Sequence, residues 1–294
     1  MPETEAWTIG RLLAWTTDYL SSRRAETPRL DAELLLAHSR DCERIDLYTA
    51  FNEVVDEEVR TTFRELVRRR AEGVPVAYLL GRREFYSLDF HVTPDVLIPR
   101  PETEFVVVRL LDLARQQRIE QKPLNVVDVG TGSGILAICA ARGLSAARVL
   151  AIDVSRPALS VANWNVRQFE LEERVTLVAG DLLLPLGDDE PLDFVISNPP
   201  YVRSSEMSQL ARDVVDHEPR VALEAGPQGT EVIERLIAQA AERLKVGGHL
   251  IMEISPMIQS AVMKLLAAES RLEPLATKKD LAGLARVVSA RRKP

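Results

Sequence analysis

The turn Asp128-Val-Gly-Thr-Gly-Ser-Gly134 narrows the possible folds more than any other feature of the chain. It follows the apolar run LNVVDVG and precedes a helix expected over residues 135 to 142. Glycines at 130, 132 and 134 let a strand turn sharply into a helix, and without Cβ atoms they let a ligand lie against the backbone. Strand, glycine turn and helix open a βαβ unit, whose parallel strands are buried on both faces and read as unbroken apolar runs. The downstream chain keeps that rhythm. A helix is expected from Glu102 to Arg118 and strands at ARVLAID, RVTLVAGD, LDFVISN and HLIMEIS. Further helices are expected from Pro157 to Phe169 and from Gly229 to Leu244, and a last helix and two short strands finish the chain. The expectation is an α/β domain with a mostly parallel sheet covered on both faces.

The N-terminal segment reads differently. Trp7, Ile9, Leu12, Leu13, Trp15 and Leu20 recur at helical spacing, and Pro28 opens a second segment, RLDAELLLAHS. A third helix runs from about Asp56 to Arg70 with Val59, Phe63, Leu66 and Val67 as its stripe. These segments predict a small helical bundle with Trp7 and Trp15 in its core. Residues 83 to 92, REFYSLDFHV, alternate as a hairpin does, and Pro94, Pro99 and Pro101 suit a stiff connector. The reading is a helical domain over 1–80, a hairpin linker over 81–94 and the α/β domain over 95–294.

Composition argues against several roles. The net charge is −7, from 37 basic and 44 acidic residues, and the first 90 residues carry 13 basic against 17 acidic side chains. No phosphate-binding surface follows from that balance, so no direct nucleic-acid binding is expected. No apolar run approaches the roughly 20 residues of a membrane span, and MPETEAWTIGRLL has no basic-then-apolar leader pattern. A cytoplasmic protein is expected, with Cys42 and Cys139 as reduced buried thiols. No metal site is expected at His91 or His217.

A dinucleotide site would place its third glycine where Ile135 stands, so that pattern fails. The glycine spacing resembles instead the first motif of the class I S-adenosylmethionine-dependent methyltransferases. The resemblance implies a Rossmann-like fold in which Asp128, Gly130, Thr131, Gly132, Ser133 and Gly134 hold S-adenosylmethionine and release S-adenosylhomocysteine. Asp153 ends the second strand, where a carboxylate accepts ribose hydroxyls; the competing role is a helix N-cap. By the same resemblance Asp181 or the backbone of Leu182 meets the adenine edge, with turn capping as the alternative for Asp181. Many relatives carry an aromatic where Leu182 stands, so the adenine is expected to rest on aliphatic surface here.

Asn198-Pro199-Pro200-Tyr201 closes the strand LDFVISN, at the carboxyl end where open α/β sheets bind ligands. An amide or exocyclic base nitrogen is a poor nucleophile because its lone pair is delocalised. The Asn198 side-chain carbonyl and the Pro199 backbone carbonyl can each accept one of its N–H groups, fixing it for in-line attack. Consecutive prolines stiffen those acceptors, and Tyr201 offers a flat face to a planar group. The motif points to amino-group methylation of glutamine, adenine or cytosine.

The rest of the chain resembles the release-factor glutamine methyltransferases, the PrmC/HemK family, over nearly its whole length. The matching stretches are RLDAELLLAH, RRRAEGVPVAYLLGRREFYSLDFHV, LIPRPETE, DVGTGSG, SNPPYV, HEPRVALEAGPQGTEVIERLI and DLAGLARVV. The resemblance implies that the methyl acceptor is the glutamine of the Gly-Gly-Gln motif in class I peptide chain release factors, which act in translation termination. It also implies that the helical domain helps to grip that protein. Alternatives are a ribosomal-protein glutamine methyltransferase, a base N-methyltransferase and a non-catalytic cofactor-binding protein. Arg100, Glu102 and Glu104 either line the mouth of the site or serve a helix start, and Glu218 and Arg220 are read as ordering the loop after the tetrapeptide.

Overall fold

The computed structural model describes residues 6–187 and 191–294. Residues 1–5, part of the start from which no leader was expected, lie outside the described residues. The chain divides into two compact units. One comprises Met1–Gly81 with Ala211–His217, the other Arg82–Leu210 with Glu218–Pro294.

The first unit contains helices α1 (Ile9–Ser22), α2 (Pro28–Ser39), α3 (Arg44–Thr49), α4 (Glu57–Ala71) and α5 (Val76–Leu80). Thr8 caps α1 through its side chain, and Pro28 occupies the first turn of α2, where its missing N–H costs nothing. Ile9, Leu13, Leu35, Leu36, Leu47 and Phe63 form its core. Helices α3 and α5 were not expected, because six and five residues are too few to display a helical period. The stretch RLDAELLLAH carries two acidic residues into the interior. Glu33 is bonded by Arg29, Arg44 and Tyr48, while Asp31 meets Arg70 Nε at 2.7 Å and so ties α2 to α4. Trp15 departs from its expected core position. It is 51% exposed, stacked on Tyr19 with centroids 5.2 Å apart, and Trp7 meets its edge.

The second unit begins with the hairpin β1 (Arg82–Phe85) and β2 (Leu88–His91), whose Phe85 and Phe90 enter the core. Then follow α6 (Glu104–Gln117), β3 (Leu124–Val129), α7 (Ile135–Gly143), β4 (Ala147–Asp153), α8 (Arg156–Gln168), β5 (Val175–Ala179) and β6 (Leu192–Ser197). After β7 (Val202–Arg203) the chain forms α9 (Arg212–His217), which groups with the first unit. It continues through β8 (Glu224–Gly226), α10 (Glu231–Arg243), β9 (Leu244–Glu253), α11 (Gln259–Ala268), β10 (Leu272–Pro274), β11 (Lys278–Lys279) and β12 (Ala285–Arg292).

Among the described residues, eight strands form the main sheet in the order β10-β12-β9-β6-β3-β4-β5, with β11 beside β12. Strands β5, β4, β3, β6 and β9 are mutually parallel, and β12 returns antiparallel to β9. The chain end therefore carries three strands rather than two short ones. Ser289 interrupts the apolar run of β12, but it is buried and accepts hydrogen bonds from Arg109 on α6. One apolar cluster, with Leu110, Ile138 and Val166, covers one face; another, with Ile233, Leu236 and Val262, covers the other. This is the α/β class expected from the buried runs.

Register decides what the carboxyl edge presents. Val129 pairs with Ile152 and Ser197, and Ser197 pairs with Met252. The following residues, Gly130, Asp153, Asn198 and Glu253, therefore form one row across four strands. Strand order reverses on either side of β3, which is where such sheets open a ligand crevice. No helix among the described residues is long and apolar enough to cross a membrane.

Candidate active site

A cleft of 290 Å³ opens along this row, lined among others by Gly130, Gly132, Asp153, Asp181, Asn198 and Pro199. Its floor begins at the glycine turn. Gly130, Gly132 and Gly134 have φ of 71°, 55° and 85°, the left-handed region in which only glycine is unstrained. A Cβ on Gly130 or Gly132 would meet nothing within 4 Å, so that space is free for a ligand. The turn is tied to the neighbouring strand by Gly130 N and Thr131 N, which donate to the Ile152 carbonyl at 2.8 and 3.0 Å.

Asp128 is wholly buried. Its Oδ2 accepts from Thr131 Oγ1 at 2.6 Å and from Ala137 N at 3.1 Å, whereas Oδ1 has no partner among the described residues. Burial pushes its carboxyl up to about 7 against the pull of those two donors. Asp128 is not part of the cleft wall; its carboxyl lies beneath the turn. Asp153 lines the cleft, accepts from Gly132 N at 2.8 Å and Ser155 N at 2.9 Å, and is also raised by burial. The N-cap of α8 is Ser155, whose side chain accepts from Ala158 N, so Asp153 is free of that duty. Among the described residues the Asp181 side chain caps no turn; it pairs with Arg235 of α10 at the cleft rim. Leu182 is buried with φ of 50°, an unusual conformation for leucine and a form of strain found at functional sites.

At the other end of the row, Asn198 Nδ2 donates to Thr103 Oγ1 at 3.3 Å. Thr103 Oγ1 donates to Glu253 Oε2 at 2.6 Å, and the Tyr201 hydroxyl donates to Glu253 Oε1 at 3.3 Å. Desolvation raises Glu253 to about 7, and it pushes the Tyr201 phenol up as well. Pro199 and Pro200 line the cleft; Tyr201 does not, packing instead against the apolar cluster beneath α10.

The three charges of PRPETE each tie down a different segment. Arg100 pairs with the buried Glu218, which also accepts from Ile98 N at 3.3 Å. Glu102 meets Arg286 of β12 at 3.5 Å, and Glu104 accepts from Tyr86 N at 2.9 Å. Pro101 opens a 3-10 turn over Pro101–Thr103, so both readings of this segment hold in part: it starts the helix, and Arg100 and Thr103 line the cleft. Glu218 orders the loop after the tetrapeptide as expected, while Arg220 pairs with Glu224 at 2.5 Å on the surface.

Thr103, Glu253 and Arg235 were not picked out from sequence. Glu253 had a visible signal: like Asp153 and Asn198, it is a polar residue at the carboxyl end of an apolar strand. Among the described residues, no cluster of three or more histidine, cysteine, aspartate or glutamate side chains has the arrangement to hold a metal ion.

Comparison with known proteins gives this geometry a family. Residues 11–81 match the family model of the PrmC N-terminal domain. A protein of Rhodopirellula baltica named release factor glutamine methyltransferase is 47% identical over 96% of this chain and 96% of its own. The chain belongs to the release factor glutamine methyltransferase family. A second member, from Nitratidesulfovibrio vulgaris, is 40% identical over 97% of this chain and 95% of its own. Release factor glutamine methyltransferases are enzymes that use S-adenosylmethionine, and this chain is one of that class. Residues 104–215 also match a family model described as ribosomal protein L11 methyltransferase. Among solved structures, the hMettl16 catalytic domain with a MAT2A 3′UTR hairpin aligns with a TM-score of 0.56 and 17% identity, covering 78% of this chain and 84% of its own. A methyltransferase from Pyrococcus furiosus aligns with a TM-score of 0.52 and 15% identity, covering 71% of this chain and 91% of its own. At those identities they bear on the fold, a class I methyltransferase, and on nothing finer.

Proposed function

We propose that this enzyme methylates the side-chain amide nitrogen of the glutamine in the Gly-Gly-Gln motif of class I peptide chain release factors. The observation that carries the chemistry is the row Gly130, Asp153, Asn198 and Glu253, which sets an asparagine amide at the end of a cleft fit for S-adenosylmethionine. The fit rests on two features: glycines that leave ligand space, and a buried carboxylate with an unpartnered oxygen beneath the turn. The similarity over 96% and 97% of the chain to proteins named release factor glutamine methyltransferase favours a release factor over the ribosomal-protein alternative.

When bound, S-adenosylmethionine supplies an electrophilic sulfonium methyl group. Gly130, Thr131, Gly132, Ser133 and Gly134 would cradle it, with Asp153 accepting from the ribose, Asp181 and Leu182 at the adenine end, and Asp128 opposing its positive charge. Asn198 Oδ1 and the Pro199 carbonyl accept the two N–H groups of the glutamine amide. That fixes the nitrogen lone pair and favours positive charge building on it. Pro199 and Pro200 keep both acceptors rigid. Tyr201 does not reach the cleft, so its part is to brace the same loop through its hydroxyl bond to Glu253. The methylated nitrogen is strongly acidic and loses its proton to water, so no side chain has to act as general base.

The helical domain over 1–80 is assigned to recognition of the protein substrate, residues 81–94 to a linking hairpin, and 95–294 to chemistry. A substrate that works in translation termination places the enzyme in the cytoplasm, with no direct contact to nucleic acid. The test is Asn198→Ala: methyl transfer is expected to fall about a hundredfold or more, the loss of one positioned transition-state partner, while S-adenosylmethionine affinity stays close to that of the wild type. Equal turnover in a folded variant removes Asn198 from the site.

A further inference from the structure

We infer that Thr103 and Glu253 are positioning residues that lock the Asn198 side chain with its oxygen toward the substrate. The inference rests on the reading of Asn198 as an acceptor for the glutamine amide. A threonine hydroxyl has one proton to give. Glu253 Oε2 lies 2.6 Å from Thr103 Oγ1, a short hydrogen bond that the hydroxyl donates and the carboxylate accepts. Oγ1 is left with lone pairs alone, so the group of Asn198 that faces it at 3.3 Å has to be the Nδ2 donor. The Asn198 oxygen is thereby turned the other way.

That constraint matters because the two ends of an asparagine amide are nearly identical in shape. A flipped Asn198 would set N–H groups against the N–H groups of the substrate amide, and the site would lose an acceptor and gain a repulsion. Glu253 spends its second oxygen on the Tyr201 hydroxyl at 3.3 Å, so one carboxylate fixes both ends of the Asn-Pro-Pro-Tyr loop. The participants come from three separate segments: the turn before α6, the loop after β6 and the carboxyl end of β9. Thr103 and Glu253 are buried, so neither bond competes with bulk water.

The experiment is a mutant cycle read by steady-state kinetics. Thr103→Val keeps the volume and removes the hydroxyl. It is expected to lower kcat roughly tenfold to hundredfold, the cost of a misplaced reacting group, with S-adenosylmethionine affinity unchanged. Thr103→Ser restores the hydroxyl and is expected to restore most of kcat. In an Asn198→Ala background, Thr103→Val is expected to lower the residual turnover no further, because its effect passes through Asn198. A general packing role would instead give additive losses. If Thr103→Val fails to bind S-adenosylmethionine, Glu253→Met, which removes both acceptor oxygens at similar volume, enters the same cycle with the same expected loss of kcat and the same non-additivity with Asn198→Ala. The inference is overturned by wild-type kcat in Thr103→Val, by no rescue in Thr103→Ser, or by additive losses. If Asn198→Ala itself keeps full turnover, the reading of Asn198 fails first, and that outcome is distinct from an inactive Asn198→Ala beside an active Thr103→Val.

Discussion

Replacing Asp128 by asparagine is expected to make the free enzyme more stable and its hold on S-adenosylmethionine weaker. Asparagine keeps the shape and an oxygen for Thr131 Oγ1 and Ala137 N, and removes the charge. The wild-type carboxyl is raised by burial from an ordinary 3.8 to about 7. A group held above its unfolded value favours folding below pH 3.8, and that advantage is lost as pH rises through 7. At pH 8 the folded chain therefore holds a buried ionised group at a cost of roughly 4 kcal/mol, from about 1.36 kcal/mol per pH unit. Asparagine has no such cost, so chemical denaturation of the ligand-free variant at pH 8 should show a gain approaching that figure, narrowing toward pH 4. Binding moves the other way. At an effective dielectric of about 20, loss of the opposing charge is expected to weaken binding by roughly 1–3 kcal/mol, or about 5- to 150-fold in affinity by calorimetry. A variant that is less stable at pH 8, or one that binds S-adenosylmethionine as tightly as wild type, would refute the account of Asp128 as a stressed charge kept for the ligand.

Other outcomes follow from the same contacts. Asp153→Ala is expected to weaken S-adenosylmethionine by roughly 1–3 kcal/mol in calorimetry, with no change in the capping of α8, which belongs to Ser155. Glu218→Ala removes the acceptor of both Arg100 and Ile98 N; denaturation should show a loss of about 1–3 kcal/mol, and unchanged stability would contradict the tether. At saturating cofactor, kcat should fall as pH drops below about 7. Protonated Glu253 can donate to Thr103 and free its hydroxyl to turn the Asn198 amide around. Glu102 and Arg286 face Glu253 with opposite charges, and Glu253→Gln should flatten this acid limb. A chain beginning at Arg82 is expected to bind S-adenosylmethionine yet methylate intact release factor poorly; full activity would remove the helical domain from substrate recognition.

The parts of the fold that were legible in sequence are those where burial is uniform. Strands β3, β4 and β6 are covered on both faces, so each reads as an apolar run, and each ends at a residue of different chemistry: Gly130, Asp153 or Asn198. Short helices α3 and α5 left no period to read. Ser289 disguised β12 because its buried partner, Arg109, lies 180 residues away. The same reason hid the site's inner contacts. Thr103 and Glu253 are 150 residues apart, and strand register is what brings them together. Asp181 looked like a ligand or a cap because nothing in the sequence announces its pairing with Arg235. Trp15 sits at helical spacing with true core residues, yet helical phase alone does not say how far an apolar face extends.

The most direct test of the central claim is methyl transfer from labelled S-adenosylmethionine to a purified class I release factor, with peptide mass spectrometry to locate the label. The expected result is one methyl group on the glutamine of the Gly-Gly-Gln motif, lost with Asn198→Ala. A release factor left unmodified while a ribosomal protein or a nucleic acid gains the methyl group would contradict it.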